Sequence, residues 1–186
     1  METQSLYQRA IKFATLKHME KNQTIPGTDM PYVVHLSNVA MEILIAAPHT
    51  QNFNLDLAIQ IALLHDTLED TSVTFDELKY EFGKDIAEGV AALTKNDALP
   101  KEDKMQDSLN RIKRLSKEVW AVKLADRITN LQRPPAHWDK RKRAGYQSEA
   151  MVILTELEGG NEYLEERLSE KILEYASFVN PTLSSC

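Results

Sequence analysis

The sequence predicts an all-α fold, and three observations support this prediction. Apolar residues recur every three or four positions along most of the chain, which is the spacing of one buried helix face. Capping residues, glycines and prolines divide this pattern into helix-sized segments. No segment of useful length alternates apolar and polar residues as a half-buried strand does. At 186 residues, the chain fits one domain, which we expect to be a helical bundle.

The first half of the chain contains five predicted helices. Pro26-Gly27 places a loop after the first helix, and Pro48 stops the second. Asn54 is a suitable N-cap for the third, and Thr74 with Glu77 has the form of a capping box for the fourth. The first predicted helix runs through Leu6–Leu16, the second from Pro31 to about Ala47, and the third, unbroken, from Leu55 to about Glu69. The fourth runs from Thr74 to Gly83 and the fifth over Asp85–Leu93.

Four more helices are predicted in the second half. Pro134-Pro135 separates the first two from the last two, and Gly159-Gly160 joins the last two. These helices run over Lys101–Leu115, Glu118–Leu131, Asp139 to about Glu158 and Glu162 to about Phe178.

Composition narrows the classes of function. A formal charge of -6 opposes attraction to a nucleic-acid backbone or an anionic membrane, so we expect neither partner. No apolar run approaches the length of a membrane span, and no signal peptide is evident, so a cytoplasmic protein is expected. The lone cysteine, Cys186, has no partner for an internal disulfide. The oligomeric state is left open.

The segment Ala62–Thr71, ALLHDTLEDT, joins an apolar run to a histidine and three carboxylates. On a continuous helix, His65 would stand above Glu69, and Asp66 above Asp70. Such a cluster at the edge of a core is costly unless it is paired, and a divalent cation pairs it well. An isolated His-Asp dipeptide is more often a surface pair or a helix cap, so the prediction depends on further ligands.

Two further residues supply candidate ligands. His35 and Asp126 each stand among apolar neighbours on a predicted helix. Two imidazoles with two carboxylates suit manganese, iron or zinc better than calcium, which prefers oxygen ligands throughout. The sequence therefore predicts one divalent-metal site.

These residues resemble the H…HD…D signature of the HD phosphohydrolase superfamily. The segments GTDMPY before His35, LLHDTLEDT, FGKDI, LTK and VKLADRITNL resemble, in order, the hydrolase domain of the RelA/SpoT homologues. The resemblance implies one HD hydrolase domain over residues 1–186, with the motifs at about 6–131 and less specific C-terminal helices at 139–178. It also implies removal of pyrophosphate from the 3′ position of guanosine tetra- and pentaphosphate, the alarmones of the bacterial stringent response.

The resemblance also implies roles for particular residues. The metal ligands would be His35, His65, Asp66 and Asp126, with manganese as the usual ion. Glu69 and Asp70 would be catalytic and would orient or deprotonate the attacking water. The spacing does not show which of the two is the base. Asn130, Lys95, Lys21 and Arg127 are candidate substrate contacts, and we expect Arg127 mainly to brace the site by pairing with Glu69 or Asp66.

One departure from the family leaves the substrate open. The family usually carries a basic pair in the loop before Pro31-Tyr32, whereas this chain reads Gln23-Thr24-Ile25-Pro26, so Lys21 would have to substitute. Two alternatives remain: an HD phosphohydrolase acting on another small phosphorylated nucleotide, and a nucleotide-binding module without turnover. His18 is interpreted as a structural residue that packs near this loop.

Overall fold

Ten α-helices and one short 3-10 helix build residues 2–180, the part of the chain that the computed structural model describes. No strand occurs within this range, where Thr24 and Pro31 form an isolated bridge. None of the described helices is long and apolar enough to cross a membrane. The helices are α1 (Thr3–Glu20), α2 (Val33–Ala46), the 3-10 helix (Ala47–His49), α3 (Leu55–Leu64), α4 (Thr67–Asp70), α5 (Phe75–Phe82), α6 (Lys84–Leu93), α7 (Lys101–Ile112), α8 (Lys117–Asn130), α9 (Lys140–Glu156) and α10 (Glu162–Val179).

The all-α prediction is confirmed, and most predicted helices occur close to their expected bounds. The predicted domain extends to residue 186, but Met1 and residues 181–186, including Cys186, lie outside the described residues.

Helices α3 and α8 form the centre of the bundle. Helix α3 packs against α1, α2, α6 and α8, and α8 also packs against α2 and α10. The last seven residues of α3, from Ala58 to Leu64, are all buried. Side chains at the ends of these two helices are therefore held by the most tightly packed part of the molecule.

Two of the predicted caps are present. The Asn54 side chain accepts the Leu57 N–H at 3.1 Å, and Thr74 Oγ1 accepts the Glu77 N–H at 3.2 Å. The Glu77 carboxylate pairs with Lys17 Nζ of α1 at 2.8 Å, so it ties two helices together.

The third predicted helix was wrong in its extent. Instead of running unbroken to Glu69, it ends at Leu64, and the four-residue α4 follows. Two side chains accommodate the break: His65 Nδ1 donates to the Ala62 carbonyl at 2.7 Å, and the Thr67 hydroxyl donates to the Leu64 carbonyl at 2.6 Å. These bonds satisfy carbonyl groups that a continuing helix would have paired with backbone N–H groups.

Gly160 is expected to be required for packing, because a Cβ there would lie 2.8 Å from the Leu157 carbonyl and 3.1 Å from the Trp120 side chain. We expect Gly160→Ala to lower the free energy of unfolding by about 1–3 kcal/mol, as overpacking does. Gly145→Ala is the matched control, since a Cβ at this position in α9 meets nothing within 4 Å. That control should raise stability by about 0.4–1 kcal/mol. Urea denaturation of both variants checks the prediction, and equal effects would contradict it.

Candidate metal centre and adjoining cavities

Two histidines and two aspartates meet beside the central helices. The His35 and His65 Nε2 atoms are 3.4 Å apart and lie 3.5 and 3.7 Å from Asp126 Oδ1. Asp66 Oδ2 lies 3.0 Å from His65 Nε2 and 3.6 Å from His35 Nε2. Two ligand atoms bound to one ion at about 2.1 Å, at an angle of about 90–110°, are about 3.0–3.5 Å apart. His35, His65 and Asp126 therefore have the spacing of ligands around a single ion, and Asp66 lies beside both imidazoles.

The cluster is buried, and its electrostatics call for positive charge. His35, His65 and Asp126 are 6%, 3% and 8% exposed. Burial alone lowers the pKa of His65, but Asp66 and Asp126 outweigh it and raise that pKa well above its ordinary value. Burial opposes ionisation of Asp126, yet Lys123 and the two imidazoles hold its pKa well below the usual range. Both shifts have the same cause, since the carboxylates favour positive charge beside them.

The helix break at His65 and Asp66 brings both side chains to one point. Consecutive residues of a continuous helix would diverge by about 100° around its axis. Here Asp66 adopts φ -99° and ψ -2°, which ends the helical path. His65 Nδ1 is bound to the Ala62 carbonyl, so the ring carries its Nδ1 proton and presents Nε2 to the cluster.

Tyr32 supports the cluster from the start of α2. Its hydroxyl donates a hydrogen bond to Asp66 Oδ2, and its ring lies between those of His18 and His35, at centroid distances of 4.7 and 5.2 Å. Burial, together with Asp66, raises the pKa of Tyr32 far above its usual value, so the hydroxyl remains a donor. In the sequence, Tyr32 is recognisable only as part of the GTDMPY segment. Helical spacing does not reveal its contact with Asp66, which lies 34 positions away.

Glu69 and Asp70 both line the same cavity as the cluster but have different partners. Glu69 Oε1 accepts Lys95 Nζ at 2.6 Å, and Oε2 accepts the Lys95 backbone N–H at 3.1 Å. Asp70 Oδ2 accepts Gln23 Nε2 at 2.8 Å. Lys95, predicted as a substrate contact, is thus paired with a carboxylate, although it still lines the cavity.

Of the other predicted substrate contacts, Asn130 lines the charged cavity and Lys21 does not. Asn130 lines the cavity and donates from its amide to Asp126 Oδ1. Lys21 is exposed at the end of α1 and lines neither of the two cavities described below.

The expected partner of Arg127 was wrong. Its Nη2 lies 3.5 Å from Glu149 Oε2 of α9, and its guanidinium lies 4.5 Å from the centre of the Tyr146 ring. The two expected partners have other contacts: Glu69 pairs with Lys95, and Asp66 accepts the Tyr32 hydroxyl. Arg127 therefore braces α9 against α8.

Lys123 is a functional candidate that sequence reasoning missed. Its Nζ lies 3.3 Å from Asp126 Oδ2, and only 12% of its side chain is exposed. The signal was present in VKLAD, because residues three apart on a helix are neighbours. Its ammonium is held at the floor of the cavity.

Two cavities meet at the cluster. One, of about 290 Å³, contains the charged groups: His65, Asp66, Glu69, Asp70, Lys95, Lys123 and Asp126. The other, of about 530 Å³, is mainly apolar and is lined by loop residues, α2 and the C-terminal helices, including Pro26, Met30, Val34, Pro135, Trp138 and Tyr175. Asn130 and Tyr146 line both. The pair suits a ligand with an anionic end and a flat, less polar end.

Fold and site together define a helical domain with a candidate metal site built from histidines and aspartates. Residues 10–161 match the family described as the HD domain, and the chain belongs to that family. Because the match includes His35, His65, Asp66 and Asp126, the four clustered residues lie within the family's domain.

Similar proteins cover nearly all of the chain. The guanosine-3′,5′-bis(diphosphate) 3′-pyrophosphohydrolase MESH1 of Danio rerio is 33% identical over 169 residues, which is 88% of this chain and 91% of that protein. MESH1 of Homo sapiens is 32% identical over 164 residues, covering 86% and 88%. A solved structure of a metazoan SpoT orthologue, described as hydrolysing ppGpp, matches with a TM-score of 0.77 and 27% identity over 91% of this chain and 94% of that one.

Metal binding is expected to release a proton and to weaken as the pH falls. The two aspartates raise the pKa of His65, so an ion that binds its neutral imidazole competes with a proton. We expect the apparent affinity for Mn²⁺ to increase between about pH 6 and 8. Calorimetric titrations in two buffers of different ionisation enthalpy measure the proton release.

The control for this titration is His49→Ala, since His49 stacks on Tyr163, with ring centroids 4.6 Å apart, outside the cluster. That variant should bind Mn²⁺ as the unaltered chain does, whereas His65→Ala should bind it weakly. Mn²⁺ binding that releases no proton would contradict the competition between the ion and a proton at His65.

Proposed function

We propose that this chain is a metal-dependent hydrolase that removes pyrophosphate from the 3′ position of guanosine 3′,5′-bis(diphosphate). The observation that carries the proposal is the cluster of two imidazoles and two carboxylates where a charged cavity meets an apolar one. The relatives named for this activity cover about nine tenths of the chain, which supports the same reaction class.

The donor set fits a divalent ion. His35, His65, Asp66 and Asp126 would hold it, since their facing atoms lie within 3.7 Å of one another across five measured pairs. Mixed nitrogen and oxygen donors suit Mn²⁺, Fe²⁺ or Zn²⁺, and the resemblance to the RelA/SpoT hydrolase domain points to Mn²⁺ among them. When bound, the ion would make water more acidic and offset negative charge on the attacked phosphorus.

Asp70 and Glu69 would act on the attacking water. Both line the charged cavity beside Asp66, and a carboxylate there can accept a proton from water or orient it by a hydrogen bond. Burial raises the pKa of Asp70, which improves it as a proton acceptor. Glu69 is held in place by both of its bonds to Lys95.

Lysines in the cavity would bind the pyrophosphate. Lys123 and Lys95 place two ammonium groups beside the cluster, and each is held by a carboxylate. An ammonium on a flexible stem can turn from its carboxylate to a phosphate oxygen. Asn130, at the junction of the two cavities, would contact the sugar or the 3′ phosphate.

The apolar cavity would hold the nucleoside. Trp138 and Tyr146 present aromatic surface there, and the buried Tyr175 hydroxyl has no hydrogen-bond partner among the described residues. Ile25 and Pro26, from the loop in which the family usually has a basic pair, line this cavity. Arg133 also lines it and supplies a cation in the absence of that pair. The missing basic pair favours, as the second candidate, an HD phosphohydrolase that acts on another small phosphorylated nucleotide.

The proposed catalytic unit is one domain over residues 1–186. The motif-bearing part, at about 6–131, supplies most of the charged cavity, and the C-terminal helices at 139–178 supply Tyr146 to both cavities and Tyr175 to the apolar one. Helix α10 packs against α8 as well as α9, so these helices support the site directly.

Pyrophosphate release from guanosine 3′,5′-bis(diphosphate) with Mn²⁺ tests the proposal. We expect Asp66→Ala to lose more than about 100-fold in kcat, because altering even the partners of metal ligands costs about 10–100-fold. We expect Asp70→Asn to lose about 10²–10⁴-fold, as the removal of a general base does. Glu88→Ala is the control, since this carboxylate pairs with Lys84 on the surface and should keep full activity.

A panel of other phosphorylated nucleotides decides between the candidates. Faster hydrolysis of a different nucleotide, with the same loss in Asp66→Ala, would replace the substrate and keep the reaction class. Nucleotide binding without any turnover would overturn the enzymatic proposal in favour of a binding module.

A further inference from the structure

We propose that Gln23 is a positioning residue that holds Asp70 for catalysis, and that His18 fixes the orientation of the Gln23 amide. The inference rests on the proposed function, because it assigns Asp70 a role in activating water. It gives a purpose to two residues outside the metal ligands, one at the end of α1 and one in the following loop.

The three side chains form a continuous chain of hydrogen bonds. His18 Nδ1 lies 2.5 Å from Gln23 Oε1, and Gln23 Nε2 donates to Asp70 Oδ2 at 2.8 Å. His18 is buried, at 2% exposure, and its ring packs on Tyr32. The position of the Gln23 amide is therefore determined from within the core, although Gln23 belongs to a surface loop.

Donor and acceptor roles allow one arrangement around an ionised Asp70. A carboxylate only accepts hydrogen bonds, so Gln23 must present its NH₂ group to Asp70 and its carbonyl to His18. His18 must then donate from Nδ1. Burial lowers the pKa of His18, so the ring is neutral, and its Nε2, which has no polar partner among the described residues, bears no proton.

This chain of hydrogen bonds, the His18–Gln23–Asp70 relay, distinguishes Asp70 from Glu69. Both oxygens of Glu69 are occupied by Lys95. Asp70 has Oδ2 bound to Gln23, while Oδ1 has no hydrogen bond to a side chain among the described residues. The relay thus engages one oxygen of Asp70 and leaves the other to accept a hydrogen bond from water.

Steady-state kinetics of four variants test the role. Gln23→Leu removes both hydrogen bonds and should lower kcat about 10–100-fold, as loss of an outer partner of a site does, with little change in KM. Gln23→Glu keeps the size of the side chain but replaces the donor facing Asp70 with an oxygen, so it should lose as much. His18→Phe keeps the ring on Tyr32 and removes the donor. Thr24→Ala, in the same loop, is the control and should match the unaltered chain.

A double-mutant comparison separates positioning from simple packing. If His18 acts through Gln23, adding His18→Phe to Gln23→Leu should lower kcat no further than Gln23→Leu alone. Independent packing roles would instead multiply the two losses. Full activity in Gln23→Glu, or losses that multiply, would overturn the relay.

A spectroscopic measurement tests the same chain without any substrate. Long-range ¹H–¹⁵N spectra of the imidazoles should show His18 protonated at Nδ1 and not at Nε2, and Asp70→Ala should shift the Gln23 side-chain amide signals. A proton on Nε2 alone would reverse the Gln23 amide and overturn the proposal. Because these spectra need no turnover, they test the hydrogen-bonded relay independently of the proposed function.

Discussion

The structure depends on one electrostatic constraint, which is that two carboxylates and two imidazoles share a buried point between α2, α3 and α8. Such a group is unfavourable unless positive charge is placed within it. Here the Lys123 ammonium lies 3.3 Å from Asp126 Oδ2, and the two aspartates raise the pKa of His65 well above its ordinary value. The close packing of α3 against its neighbours keeps the cluster from relaxing apart, so the site remains prepared for a cation.

The break after Leu64 is the local feature that makes this cluster possible. A continuous helix would have directed His65 and Asp66 to different sides, and only one of them could have faced Asp126. Instead, His65 and Thr67 satisfy carbonyl groups in the last turn of α3 with their own side chains. The short helix that follows then carries Glu69 and Asp70 into the same cavity. One interruption thus places ligands and candidate catalytic carboxylates together.

Much of this arrangement could be predicted from the sequence, and the rest could not for identifiable reasons. Apolar spacing located the helices, and Asn54 and Thr74 marked two of their starts, because these signals are local. The four clustered residues were recognisable through their motif order. The break at His65 was missed because the apolar stripe continues through Leu68. Contacts such as Gln23 with Asp70 join residues 47 positions apart, and helical spacing contains no information about them.

The loop between α1 and α2 connects the two halves of the site. Gln23 reaches Asp70 in the charged cavity, while Ile25 and Pro26, two and three residues later, line the apolar cavity. The backbone bridge between Thr24 and Pro31 closes this segment on itself, so its two ends cannot move independently. A ligand bound against Ile25 and Pro26 would therefore contact the same segment that carries Gln23. This loop, which lacks the family's usual basic pair, thus joins the lining of the apolar cavity to a carboxylate of the charged one.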